Sequence, residues 1–291
     1  MENYMLLAVI VLGAIALVAS VILYYVSKRF AVQEDPRLGK VAEVLPGANC
    51  GGCGFPGCSG MADALVRAAD KGSLEGLNCP VGGAAVMSQV ADLLGMTVTQ
   101  SEPMVAVVRC NGSCEHRPRI AVYDGLPSCA AMNACSAGET GCGYGCLGCG
   151  DCVRACRFDA IKLNAETGLP EVDEEKCTAC GACVKTCPRH IIELRKKGPK
   201  GRRVFVSCVN KDKGAVARKA CTVACIGCSK CEKECKFGAI TVSDNLSYID
   251  WTKCRLCKKC VAVCPTGAIV AVNFPTPKPV EPKQEEKEVT A

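Results

Sequence analysis

Aromatic side chains are nearly missing from this chain: Phe, Tyr and Trp make up 4% of its 291 residues, with a single tryptophan. Small domain cores lean on large side chains, so the soluble part is not expected to be held by a conventional apolar core. Histidine is as scarce, with only His116 and His190; both read as structural or solvent-exposed, and no acid-base pair stands out. No Gly-x-Gly-x-x-Gly opens a helix after a strand, which leaves no evident nucleotide site. Only one apolar run is long enough to cross a bilayer, and it holds no ionisable group, which excludes an ion channel made by this chain alone.

Cysteine fills the gap, with 27 residues. Four runs of the form Cys-x2-Cys-x2-Cys-x3-Cys lie in two pairs: Cys146, Cys149, Cys152, Cys156 with Cys177, Cys180, Cys183, Cys187, then Cys225, Cys228, Cys231, Cys235 with Cys254, Cys257, Cys260, Cys264. In a bacterial two-cluster ferredoxin, three cysteines of a run bind one 4Fe-4S cubane and the fourth reaches across to the other. The expected sets are therefore Cys146, Cys149, Cys152 with Cys187; Cys177, Cys180, Cys183 with Cys156; Cys225, Cys228, Cys231 with Cys264; and Cys254, Cys257, Cys260 with Cys235. Structural zinc wants two separated Cys-x2-Cys pairs and fits this spacing poorly. Disulfides fit dense runs in a reducing compartment worse still. Pro188 and Pro265 follow the last cysteine of their runs as in bacterial ferredoxins, whereas Arg157 and Lys236 replace that proline in the other two.

A fifth site is expected at Asn49-Cys50-Gly51-Gly52-Cys53-Gly54 with Cys58 and Cys79, where glycines let backbone amides approach a cubane. Zinc is the rival there. Short Ala-rich helices, Met61 to Ala69 and Ala84 to Leu94, are predicted beside it. Seven cysteines are left over: Cys110, Cys114, Cys129, Cys135, Cys142, Cys208 and Cys221. A sixth cluster on Cys110, Cys114, Cys129 and Cys142 is one reading, with Cys208 and Cys221 as rival ligands; buried structural thiols are the other. An internal repeat underlies the surplus. The strands Met104 to Val108 and Val204 to Val206 lead to Cys110 and Cys208, and Cys142 and Cys221 each stand four residues before a run.

Met5 to Val26 is uncharged and as a helix spans ~33 Å, enough for a bilayer core. A cleaved signal peptide would start with a basic segment, whereas this one starts with Glu2. Lys28 and Arg29 follow the run, placing the C-terminal part on the cytoplasmic side. The formal charge of +6 falls to about −4 once five cubanes of about −2 each are loaded, which removes any case for nucleic-acid binding. The predicted plan is α+β: anchor 1–27, polar tether 28–45, 4Fe-4S domain 46–100, two ferredoxin-like modules at 101–200 and 201–273, and a disordered Pro-, Glu- and Lys-rich tail 274–291. Further short strands are expected at Ala160 to Leu163, Ile191 to Leu194, Ile240 to Val242 and Ala268 to Val272. The basic stretch from Arg195 to Arg203 reads as a solvated hairpin tip, with a docking patch as the alternative.

This order of parts resembles the RnfB/RsxB family, the B subunit of the Rnf complex, over Met1 to about Asn273. The stretches that carry the resemblance are Asn49 to Gly54 with Cys58 and Cys79, and Gly145-Cys146-Leu147-Gly148-Cys149-Gly150-Asp151-Cys152. With two ferredoxin-like modules the chain is similar to the long type of anaerobes. The resemblance implies an electron-transfer subunit of a membrane-bound, ion-translocating ferredoxin:NAD oxidoreductase. It implies reduced ferredoxin as donor, NAD and flavin sites on partner subunits, and location in the bacterial cytoplasmic membrane. Two other functions fit the same residues: a membrane-tethered donor that keeps a redox-sensing regulator reduced, and a zinc-bearing scaffold.

Overall fold

The computed structural model describes residues 2–29, 35–97 and 102–275; the expected tail at 276–291 and tether residues 30–34 lie outside them. Helix α1 (Glu2–Arg29) is apolar on every side, as a helix solvated by lipid must be. Leu6, Ile10, Leu17 and Leu23 are all exposed, so no protein surface covers them. Among the described residues, this is the one helix long and apolar enough to cross a membrane.

The polar tether expected to run to residue 45 is corrected by helix α2 (Pro36–Val44). Asp35 caps it by accepting the Arg37 N–H at 2.8 Å, and Pro36 sits at the first helical position, where its missing N–H costs nothing. Leu38, Val41 and Leu45 fall on one face. Val41 is fully buried and Leu45 nearly so, packed with Met61, Leu65 and Val90 from helices α3 (Gly57–Asp70) and α4 (Gly83–Leu94). The small domain therefore begins at Asp35, fifteen residues before its first cysteine, Cys50. Gly95 closes α4 in the left-handed region, φ 67°, letting the Met96 N–H reach back to the Ala91 carbonyl at 2.8 Å.

Two structural repeats follow. The first contains β1 (Met104–Val108), α5 (Cys129–Cys135), α6 (Asp151–Arg154), β2 (Ile161–Leu163), β3 (Pro170–Val172), α7 (Ala182–Thr186) and β4 (Ile192–Lys196). The second contains β5 (Arg203–Val206), α8 (Gly214–Ala220), α9 (Lys230–Glu234), β6 (Ile240–Ser243), β7 (Leu246–Ile249), α10 (Lys259–Ala262) and β8 (Ile269–Val272). In each, the first and last strands pair antiparallel, β1 with β4 and β5 with β8, while the middle strands form a hairpin.

Strand alternation decides how the repeats meet. Ala106 turns into the first repeat's core with Ile161 and Ile192, and Val204 and Val206 turn into the second's with Ile240 and Ile249. The opposite faces carry Val105, Val107 and Phe205, which pack against one another between the repeats. Burying each such side chain stabilises the contact by roughly 1.5–3 kcal/mol.

The basic stretch between the repeats is not a hairpin tip, because β4 and β5 pair with other strands. Its two ends are buried: Arg195 is 1% and Arg203 6% exposed. Arg203 pairs with Glu174 of the first repeat, whose carboxylate also accepts from Asn273 of the second at 3.1 Å. Arg195 pairs with Glu193 and stacks 5.2 Å from the Tyr248 ring centroid, with Arg109 at 5.0 Å from the same ring. Cation-aromatic and ionic contacts thus replace the missing aromatic core at this junction.

Candidate iron-sulfur sites

Each four-cysteine run winds the same way. The residues before and after the second cysteine hold left-handed φ in all four: Gly148 and Gly150, Ala179 and Gly181, Gly227 and Ser229, Leu256 and Lys258. For Ala179, Ser229, Leu256 and Lys258 this conformation costs roughly 1–2 kcal/mol each. It turns successive N–H groups into a concave nest, a shape that suits an anionic sulfide cluster. Short helices α6, α7, α9 and α10 then carry the third cysteine of each run inward. Cys152, Cys183, Cys231 and Cys260 are all buried.

In the second repeat the thiols gather around two cavities. One cavity is lined by Cys225, Cys228, Cys231 and Cys264, and another by Cys254, Cys257, Cys260 and Cys235. In the first repeat Cys187 lines a cavity with Cys129, Cys146 and Cys152, and Cys146, Cys152, Cys156, Cys177, Cys183 and Cys187 all pack in one cluster. Burial pushes the Cys183 and Cys260 thiols up to about 12, with neighbouring cysteines adding to the shift. Such thiols stay protonated near neutrality unless a metal centre takes the charge. The donor chemistry, the nests and, in the second repeat, the four thiols lining each cavity fit a 4Fe-4S group.

The small domain presents a fifth set. Burial raises the Cys79 thiol, which faces Cys53 and Cys58 and accepts the Gly82 N–H at 3.4 Å. Cys50 accepts from Gly52 at 3.5 Å. Asn49, at φ 45°, orders the loop by accepting the Cys58 N–H at 2.7 Å. This loop rests on the first repeat: the Arg157 guanidinium donates to the Asn49 carbonyl at 3.2 Å, and Gly52 lies against the backbone of Cys180. The arginine that stands where bacterial ferredoxins have proline is therefore an interdomain contact.

The set Cys110, Cys114, Cys129 and Cys142 is not brought together, which corrects that reading of the surplus cysteines. Cys129, at the start of α5, faces Cys149 and Cys146. Asp151 holds it there by accepting the Ala130 N–H at 3.1 Å and the Ser128 hydroxyl at 3.0 Å. Cys114 is exposed beside Gly168. Cys110 and Cys142 turn instead toward Cys208 and Cys221.

Comparison with known proteins places iron-sulfur family models on the same segments. Residues 143–194 and 224–269 each match a family model described as "4Fe-4S dicluster domain", and residues 45–72 match one described as "Putative Fe-S cluster". The B subunit of the Na(+)-translocating ferredoxin:NAD(+) oxidoreductase complex of Acetobacterium woodii is 46% identical over 92% of this chain and 78% of its own length. The B subunit of the ion-translocating oxidoreductase complex of Methanosarcina acetivorans is 43% identical over 92% of this chain and 99% of its own. The chain belongs to the B-subunit family of ion-translocating oxidoreductase complexes. A third member, from a proton-translocating ferredoxin:NAD(+) oxidoreductase complex of Clostridium ljungdahlii, is 41% identical over 93% of both chains. A shorter member, from Salmonella newport, matches 66% of this chain at 35% identity. The dicluster matches take in all sixteen cysteines of the four runs, and all seven surplus cysteines fall outside the three matched segments.

Proposed function

We propose that this chain is the iron-sulfur relay of a membrane-bound, ion-translocating ferredoxin:NAD oxidoreductase, accepting electrons from reduced ferredoxin and delivering them toward partner subunits in the membrane. The observation that carries this reading is the pair of four-cysteine cavities in the second repeat, together with the same winding of all four cysteine runs. On this reading the Cys146, Cys177, Cys225 and Cys254 trios take Cys187, Cys156, Cys264 and Cys235 as fourth ligands, and Cys50, Cys53, Cys58 and Cys79 hold the fifth cluster. A bound cubane supplies one-electron uptake and release without bond making. The protein supplies thiolates, backbone N–H donors to sulfur, and burial of the third cysteine of each run.

Lys28 and Arg29 at the end of α1 support a cytoplasmic orientation for these domains. NAD and flavin chemistry then belongs to other subunits. A basic cleft of about 370 Å³ opens beside Cys254, lined by Arg195, Lys196, Arg202, Arg203 and Arg255 with Trp251. A donor ferredoxin carries about −2 on each loaded cubane, so this cleft has the charge to steer it and to make its docking sensitive to salt.

In membranes holding the assembled complex, Cys180→Ala and Cys228→Ala should each abolish ferredoxin-dependent NAD reduction. NADH oxidation with an artificial acceptor, carried by the other subunits, should persist. Full ferredoxin-dependent turnover in either variant would overturn the relay. Zinc in place of iron and sulfide in the purified protein would make the chain a scaffold.

A further inference from the structure

Where the two repeats meet there is a buried polar pocket that none of the five sites uses. Its wall carries Cys110, Cys142, Cys208 and Cys221. Two come from each repeat, at equivalent places: Cys110 stands two residues after β1 and Cys208 two after β5, while Cys142 and Cys221 each precede the first cysteine of a run by four. The equivalent segments touch. The Asn111 N–H donates to the Ser207 carbonyl at 3.1 Å, the Thr222 N–H donates to the His116 carbonyl at 3.0 Å, and a β-carbon on Gly141 would lie 3.8 Å from Ala220.

The thiols face one another across this junction. Burial raises the Cys221 thiol, which faces Cys110 and Cys142, and burial pushes Cys208 up to about 11, with Cys110 beside it. Cys142, Cys208 and Cys221 are no more than 9% exposed.

A second observation points to an anionic ligand. Arg117 is only 8% exposed, and its Nε has no hydrogen-bond partner among the described residues. Its guanidinium lies along the pocket: a β-carbon on Gly112 would come within 3.2 Å of Cys221 Sγ and 3.5 Å of Arg117 Nε, and one on Gly145 within 3.5 Å of Cys142 Sγ. Asn210, 1% exposed, donates its side-chain amide to Cys142 Sγ at 3.5 Å. A buried guanidinium whose Nε lacks an acceptor is costly. A tetrathiolate cubane removes that cost, with about −2 of charge and inorganic sulfides as acceptors. Zinc would bring the same charge. Its only acceptors would be the four cysteine sulfurs, which backbone and Asn210 donors already engage at Cys142, Cys208 and Cys221.

We propose that Cys110, Cys142, Cys208 and Cys221 hold a sixth 4Fe-4S cluster, shared between the two repeats. The inference rests on the five-cluster reading above and adds the site that joins them. Cys146 of the first repeat faces Cys110, and the Cys225 N–H of the second donates to Cys208. The shared site therefore adjoins one four-cysteine set of each repeat.

The test is iron, acid-labile sulfide and zinc analysis, with Mössbauer spectra, on the full-length chain purified anaerobically in detergent. Six clusters give ~24 iron and ~24 sulfide per chain. The double variant Cys142→Ser/Cys221→Ser should give ~20 of each, and the control Cys114→Ser/Cys135→Ser should match the wild type. A wild-type value of ~20 that the double variant leaves unchanged overturns the sixth site and spares the five; a value under ~16 takes both down. One zinc per chain that disappears in the double variant also overturns the proposal. If the double variant loses more than one cluster, Arg117→Gln decides. A shifted potential for one cluster with all iron retained supports the shared site, and unchanged potentials overturn it.

Discussion

Gly52 is packed onto the backbone of Cys180: a β-carbon on Gly52 would lie 2.7 Å from the Cys180 carbonyl oxygen and 2.9 Å from its Cα. Any side chain there forces the Cys50 loop away from the first repeat, because backbone atoms cannot step aside as a flexible side chain can.

Gly52→Val is therefore expected to keep the iron content of the chain while slowing ferredoxin-dependent turnover of the complex. Misplacing a reacting group on the order of 1 Å can cost up to about 100-fold in rate, and a loss of about tenfold or more is expected here. The check is iron analysis alongside steady-state turnover. An unchanged rate with Val in place would mean that this contact lies off the route.

The crossing of ligands between runs gives a second prediction. Cys187 lines the cavity of Cys146 and Cys152, so Cys187→Ala should damage that cluster and leave the Cys177 trio intact. Electron paramagnetic resonance of the variant separates the two sites. Disturbance of the Cys177 site in place of the Cys146 site would reverse the pairing.

Arg195 supplies the third. It is 1% exposed and its charge bears on Cys254. A buried cation beside a cubane favours the reduced, more negative state. Arg195→Met keeps the apolar stem and removes the charge, and it should lower the potential of the Cys254 cluster by tens of millivolts; about 59 mV is a tenfold change for a one-electron couple. Redox titration followed by electron paramagnetic resonance reads the shift. An unchanged or raised potential would remove Arg195 from the tuning of that site.

Glu174 holds the two repeats together, and the hydrogen bond from Arg203 keeps its carboxyl below the ordinary carboxylate value, the Arg203 charge and Asn273 adding to the effect. A carboxyl with a lowered folded-state pKa contributes stability that is fully present above its unfolded value and is lost as pH falls through the lowered one. Between pH 6 and 9 the contribution is therefore constant. Glu174→Gln should destabilise the junction by about 1–3 kcal/mol across that window, since it leaves a buried arginine without its charge partner. Hydrogen exchange of β5 and β8 should rise equally at both ends of the window. A penalty that vanished at pH 6 would contradict the ion-pair account.

The cysteine runs were legible because cluster ligation imposes short, fixed spacing, and the strands were legible because buried Val and Ile alternate. Helix α2 was not. Its nine residues include Lys40 and Glu43, and only Val41 and Leu45 show that one face is buried, a pattern too short to rise above a polar segment. A truncation meant to remove only the anchor must stop before Asp35. The buried ends of the basic stretch also escaped reading, because a charge run ordinarily lies in solvent and the partners Tyr248 and Glu174 come from other elements. Cys110 and Cys208 are 98 residues apart, and only their matching offsets within the repeat hinted at a common place.

The most direct measurement is an anaerobic titration of the loaded chain with chemically reduced ferredoxin, following the visible absorbance of the clusters at low and high salt. A working relay predicts bleaching of several one-electron centres per chain, at least about five at saturation, with association that slows as salt rises. An iron-loaded chain that takes no electrons from reduced ferredoxin at either salt would contradict it.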